Sequence, residues 1–212
     1  DYTADDCLAF HDAIRQEVLP LLTKVHERKC QLLNVNQLRP WDITASPKGA
    51  SPLKPIKSEA DLVQKAIRVL SSTDASFGDC VKQMYVRQHL DLETRANKRP
   101  GGYQMPLPKT GVPFIFMNSG KSVQDLRTFM HESGHAVHSF ATNHLPLMSS
   151  KHPPVEIAEL AAMTMELLSM DKWHIFLPNE QEKYRAQIWL LENILQLLPW
   201  IAVVDRFQHW IY

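Results

Sequence analysis

The chain has 212 residues, 44% hydrophobic and 22% charged, with 23 basic and 23 acidic side chains. That is enough for one sizeable globular core, and the balanced charge argues against a nucleic-acid partner or an anionic membrane surface. No contiguous apolar run reaches the ~18 residues of a membrane span. Cys7, Cys30 and Cys80 are too widely spaced for a cysteine metal site and read as free thiols of a reducing compartment.

Residues 4–36 read as one long helix, because Leu8, Ile14, Val18, Leu21, Leu22, Val25, Leu32 and Leu33 recur at helical spacing. Pro20 removes a backbone donor inside it and predicts a kink. His11 and His26 lie on it with no partner motif, as solvated or core-edge side chains. Residues 39–56, with four prolines, form a surface connector that Trp41 is expected to anchor on the core. Ser58 and Asp61 cap the next helix, whose apolar face is Leu62, Ala66, Val69 and Leu70. A further helix runs from about Ser76 to His89, carrying Phe77, Val81, Met84 and Tyr85.

After the Arg99-Pro100-Gly101-Gly102 turn, two short strands are predicted, Tyr103 to Leu107 and Val112 to Met117. Pro113 marks the second as an edge strand or a strand start, and such an edge could pair with an extended peptide. Helices then follow over about Val123 to Asn143, Val155 to Met170, Asp171 to Phe176 and Asn179 to the end, with Pro199 kinking the last. The fold class is therefore mainly α, with a small antiparallel β-sheet before the helix of 123–143.

That helix carries His131-Glu132-Ser133-Gly134-His135. Residues i and i+4 stack on one helix face, so both imidazoles reach one cation, with Glu132 placed to act on a water held there. A catalytic zinc site takes three protein ligands and a water. His138 lies ~7 Å along the helix axis from a metal between the two histidines, too far for a ligand and suited to a supporting place beside it. Glu156 and Glu159, at i and i+3 on the following helix, are both in range, and the pattern does not separate them. The following helix is otherwise apolar, and a buried carboxylate there needs a partner, which a metal supplies.

His131-Glu132-Ser133-Gly134-His135-Ala136-Val137-His138, together with Ala158-Glu159-Leu160-Ala161-Ala162-Met163-Thr164-Met165-Glu166, resembles the metal motifs of the thimet oligopeptidase and oligoendopeptidase F family of zinc metallopeptidases. Arg99 to Tyr103 and Pro113 to Asn118 resemble the family's lead-in, and the oligoendopeptidase F branch is the nearer one. Ala162 departs from the serine common at that place. The resemblance implies a helical zincin-type catalytic core and one Zn2+ per chain, held by His131, His135 and Glu159. It implies Glu132 as catalytic base, with Glu166, and more weakly His138, orienting a ligand. It implies short peptides as substrates, no nucleic-acid or membrane partner, and a cytoplasmic location. The family also carries a downstream His and Tyr pair and an N-terminal lobe. Residues 1–212 are accordingly expected to be a single catalytic-core domain of a longer protein, without that lobe and without the C-terminal end.

Two other readings remain open at this level. An aminopeptidase of the same motif type would carry an upstream G-x-M-E-N segment, which is not found in the sequence. A non-catalytic zinc-binding helical domain would close the metal with a fourth protein ligand such as His138 or His144, and a truncated core would bind peptide without cleaving it.

Overall fold

The computed structural model describes residues 2–212, which divide into two compact units. One takes the described residues through Ser51 together with Gln187–Tyr212, and the other is Pro52–Ala186.

In the first unit, α1 (Ala4–Ala13) starts at a capping box in which Thr3 and Asp6 satisfy each other's backbone N–H groups. The chain passes through a π-helical turn, Ile14–Val18, into α2 (Leu19–Leu33), where Pro20 occupies the first turn. A proline ring collides with the carbonyl four residues back and offers no N–H. The wider π turn just ahead of Pro20 is where the ladder absorbs that mismatch. Asn34 ends α2 in the left-handed conformation, and Val35 N–H returns to the Cys30 carbonyl. His11 is buried and pairs with Asp205 at 2.9 Å, a partner on the last helix that spacing within 4–36 gave no way to foresee. Trp41 does not anchor the connector. It sits inside the 3-10 turn Pro40–Asp42 with 73% of its surface exposed, because Asp42 caps the turn through Arg39 N–H and leaves the indole pointing outward.

The last helix, α8 (Glu180–Ile211), starts in the second unit and continues in the first, with Pro199 inside it. An 18-residue window of α8 has a mean hydropathy of 1.4, of which 11% is buried. Among the described residues, then, one helix is long and apolar enough to cross a membrane by length and composition, which corrects the expectation that no stretch is. Glu192, Asn193 and Gln196 break a contiguous apolar run without lowering the average below that measure.

In the second unit, Ser58 caps α3 (Glu59–Ser71) by accepting Asp61 N–H at 3.1 Å. Leu62, Val63, Ala66, Val69 and Leu70 are fully buried. Helix α4 (Ala75–Val86) adds Val81 and Met84 to that core, while Tyr85 points outward.

The sheet has three strands in the order β1-β3-β2: β1 (Leu90–Glu93), β2 (Tyr103–Met105) and β3 (Phe114–Ser119). It is mixed rather than antiparallel, since β1 runs parallel to β3 and only β2 is antiparallel to it. The overlooked strand, β1, is four residues long and directly follows α4, too short for its alternation to stand out. Pro113 lies just before β3, so no ladder donor is lost. β3 is the central strand, which corrects its reading as an edge open to a peptide.

Helix α5 (Val123–Thr142) packs on the sheet and on α7 (Val155–Met170), with the single turn α6 (Met148–Lys151) between them. Asp171 to Phe176 contains the 3-10 turn Trp173–Ile175 rather than an α-helix, and it buries Trp173 completely. The indole N–H of Trp173 donates to Ser169 Oγ at 3.2 Å.

Candidate active site

Helix α5 begins at Ser122, whose hydroxyl accepts Asp125 N–H while the Asp125 carboxylate accepts Ser122 N–H. From that fixed start Val123, Leu126, Phe129 and Met130 are buried, and burial then spreads around the helix to Glu132, Ser133, Gly134 and Ala136. The far end is looser: Val137 and Phe140 are half-buried and Ala141 is exposed.

Helix α7 is inverted with respect to an ordinary surface helix. Val155, Ile157, Leu160, Leu167 and Leu168 are exposed, while Ala162, Met165, Glu166 and Ser169 are buried. Glu159 and Glu166 thus face α5. The two backbones come close at Gly134, where a Cβ would lie 2.7 Å from Ala162 Cα and 2.8 Å from the Ala161 carbonyl oxygen. Only glycine permits that approach.

Close packing brings three side chains to one point. His131 Nε2 lies 3.3 Å from Glu159 Oε2, and His135 Nε2 lies 3.6 Å from Glu159 Oε1. The two imidazoles stand edge to face with centroids 4.8 Å apart. One ligand atom from each of His131, His135 and Glu159 falls within 4.8 Å of the others, and among the described residues this is the one group of three or more such side chains. Donors around a tetrahedral zinc at about 2.0–2.1 Å sit roughly 3.3 Å apart, so the spacing and the donor set both suit such an ion. Three protein ligands leave a position for water. Glu156, on the exposed first turn of α7, and the exposed His144 both lie outside the group. So does the half-buried His138.

A second set of contacts holds His131 from behind. Its Nδ1 is 2.7 Å from Glu166 Oε1, which leaves Nε2 for the cation side. Glu166, only 3% exposed, also receives Arg127 Nε at 2.5 Å. Burial pushes the Glu166 carboxyl up, but its hydrogen bonds with His131 and Arg127 outweigh that and hold it below the usual carboxylate range. Burial likewise pushes His131 down, while Glu166 prevails and leaves it raised. His135 has no such carboxylate behind it, and burial together with the His131 charge lowers it. A hydrogen bond with the Ala158 backbone opposes that shift. Arg127 went unnoticed in the sequence. The available signal was a basic residue one turn before His131, on the same face.

Glu132 is 6% exposed, and burial raises its carboxyl above the ordinary value, with Glu159 adding to the rise. His131 and the Gln104 backbone N–H, on β2, pull the other way. The Gln104 side chain in turn donates to Ser139 Oγ on α5 at 3.0 Å.

The sequence model of peptidase family M3 matches residues 1–212, and the chain belongs to that family. Among curated relatives it is 30% identical to an oligoendopeptidase F homolog of Lactococcus lactis subsp. lactis (strain IL1403), over 73% of this chain and 25% of the relative. It is 27% identical to oligopeptidase PepF of Bacillus subtilis (strain 168), over 84% of this chain and 26% of the relative. The matched part thus amounts to about a quarter of the length of these relatives. A solved structure of PZ peptidase A with an inhibitor superposes on the whole chain with a TM-score of 0.91 at 24% identity, this chain covering 37% of it. That likeness establishes the shared fold.

Proposed function

We propose that the chain carries the catalytic centre of a zinc-dependent endopeptidase acting on short peptides. The observation that supports it most is the convergence of His131, His135 and Glu159, from two helices, beside the buried Glu132. Those three side chains would hold a zinc ion, which would supply a Lewis acid and a water of pKa ~7.

The chain's own residues do the rest. Glu159 bridges the two rings with a different oxygen for each, and Glu166 fixes the tautomer of His131 through Nδ1. Arg127 keeps the Glu166 carboxylate in place. Glu132 takes the proton from the attacking water and delivers it to the leaving amine. A closed structural metal site needs four protein ligands, and the group here has three.

The test is the conservative variant Glu132→Gln in the native polypeptide that carries this chain. Cleavage of a quenched peptide is expected to fall by about 10²–10⁴-fold while the zinc content stays unchanged. Turnover at the wild-type rate would remove Glu132 from the mechanism. Zinc bound by a wild type that cleaves nothing would favour the non-catalytic reading.

A further inference from the structure

The sheet has a second face. Gln104 turns toward α5, so its neighbours Tyr103 and Met105 turn to the opposite side, where both are exposed. Tyr103 opposes Phe116 in the register and stacks on it, with centroids 5.0 Å apart and planes 13° from parallel. Arg95, Lys98 and Arg99 close the other side of an open cleft of about 480 Å3 over these rings.

Two of the three cations are already occupied. Lys98 Nζ donates to Asp91 Oδ1 and to the carbonyls of Asp91, Glu93 and Met117, all within 3.0 Å, and it lies 4.5 Å from the Phe116 ring centre. Arg95 grips both Asp91 oxygens at 2.6 and 2.8 Å. Arg99 differs: among the described residues its guanidinium has no ion pair and no hydrogen bond, and the residue is exposed. Its backbone is nonetheless fixed. Asn118 Nδ2 donates to the carbonyls of Arg99 and Gly101, and Gly101 takes φ +103°, where a side chain would be strained. The cleft therefore offers an aromatic floor, the apolar edge of Met105 and one uncommitted, pre-placed cation. Of the carboxylates nearby, Asp91 is held by both Arg95 and Lys98.

We propose that this cleft is a specificity subsite for an acidic side chain of the substrate peptide, with the carboxylate on Arg99 and the methylenes against Tyr103 and Met105. The inference rests on the peptidase reading above. β2 is an outer strand of the sheet, and its Gln104 backbone lies beside Glu132. An extended peptide running along that edge sends alternate side chains to the two faces of the sheet. One set then meets the catalytic residues while the other reaches the Arg99 side.

The test uses peptides acetylated and amidated at their ends, so that a single Glu, moved position by position and replaced by Gln as control, is their one carboxylate. In the native polypeptide one position is expected to favour Glu over Gln by up to about fivefold, carried in KM, as for an exposed charge pair. Arg99→Ala should erase that preference and Arg99→Lys should restore part of it. A preference that survives Arg99→Ala overturns the proposal. So does a variant that loses stability with the preference intact, because another segment then fills the cleft. So does a preference that appears only with a free C-terminal carboxylate. Fluorescence anisotropy of the same peptides on Glu132→Gln separates the two readings. Absence of cleavage by the wild type removes the peptidase reading, whereas equal Kd for the Glu and Gln peptides removes the subsite.

Discussion

The two units use their apolar residues in opposite ways. In Pro52–Ala186 the residues at helical spacing close on one another: Leu62, Val63, Ala66, Val69, Leu70, Leu126, Phe129 and Met130 are all fully buried. In the other unit Leu8, Leu21, Leu32, Trp200, Phe207 and Trp210 stand exposed, and its buried side chains include a polar one, His11, which pairs with Asp205. Periodicity therefore locates helices equally well in both, but it does not say whether an apolar face finds a cover. The unit with the closed core is the one that holds the candidate site. That is physically reasonable, because a ligand set must be held to a few tenths of an ångström and rigid packed elements do this best.

The sharpest way to break that contrast is to truncate one tryptophan in each unit. Trp173→Ala removes a fully buried ring and its hydrogen bond to Ser169, and should cost about 3–5 kcal/mol in denaturant unfolding. Trp210→Ala removes a ring that is 80% exposed and should stay within about 0.5 kcal/mol. Equal losses would mean that the two units are not packed differently.

The next largest effect is expected at Gly134. A methyl group there meets the α7 backbone at Ala162 and Ala161, which cannot move aside as a side-chain tip could. Gly134→Ala should cost about 1–3 kcal/mol by overpacking and also weaken metal binding, since it separates α5 from α7. A variant with a lower Tm and unchanged metal affinity would mean that the helix spacing does not set the ligand geometry.

Smaller still is the contribution of the residues behind His131. Glu166→Gln and Arg127→Ala should each weaken zinc affinity by about 10–100-fold in a chelator competition, with His131, His135 and Glu159 intact. Unchanged affinity would reduce both to a buried structural pair.

The smallest effect is in acid. Arg95, hydrogen-bonded to Asp91, lowers that carboxyl from its ordinary 3.8 to about 2. A group whose pKa is depressed by folding stabilises the native state above its unfolded pKa and stops doing so as pH falls through the folded one. Stability of the sheet unit should therefore decline between about pH 4 and pH 2 through this group. Asp91→Asn should flatten that part of the profile and leave the neutral region nearly level. An unaltered acid limb in the variant would mean that the pair contributes nothing.

Much of this architecture could be read from residue types. Helix α7 is predicted and found at Val155–Met170, because two prolines fix its start and its apolar run fixes its length. The pair His131 and His135 follows from helical spacing alone. The choice between Glu156 and Glu159 does not, since residues three apart share a face. What separates them is how far along α7 the contact with α5 falls, and that depends on the missing side chain at Gly134. Arg127 carries a signal within its own helix, but its partner Glu166 lies 39 positions away and only tertiary packing joins them. The parallel strand β1 carries too few residues for its alternation to be distinctive. Trp41 followed the general preference of indoles for cover, and a local 3-10 turn overrode it.

The central claim is tested most directly by counting zinc per chain by elemental analysis in the wild type, Glu159→Ala and Glu156→Ala, each purified in the native polypeptide. One zinc is predicted for the wild type and for Glu156→Ala, and almost none for Glu159→Ala. A full complement in Glu159→Ala, or its loss in Glu156→Ala, would contradict the assignment of the third ligand.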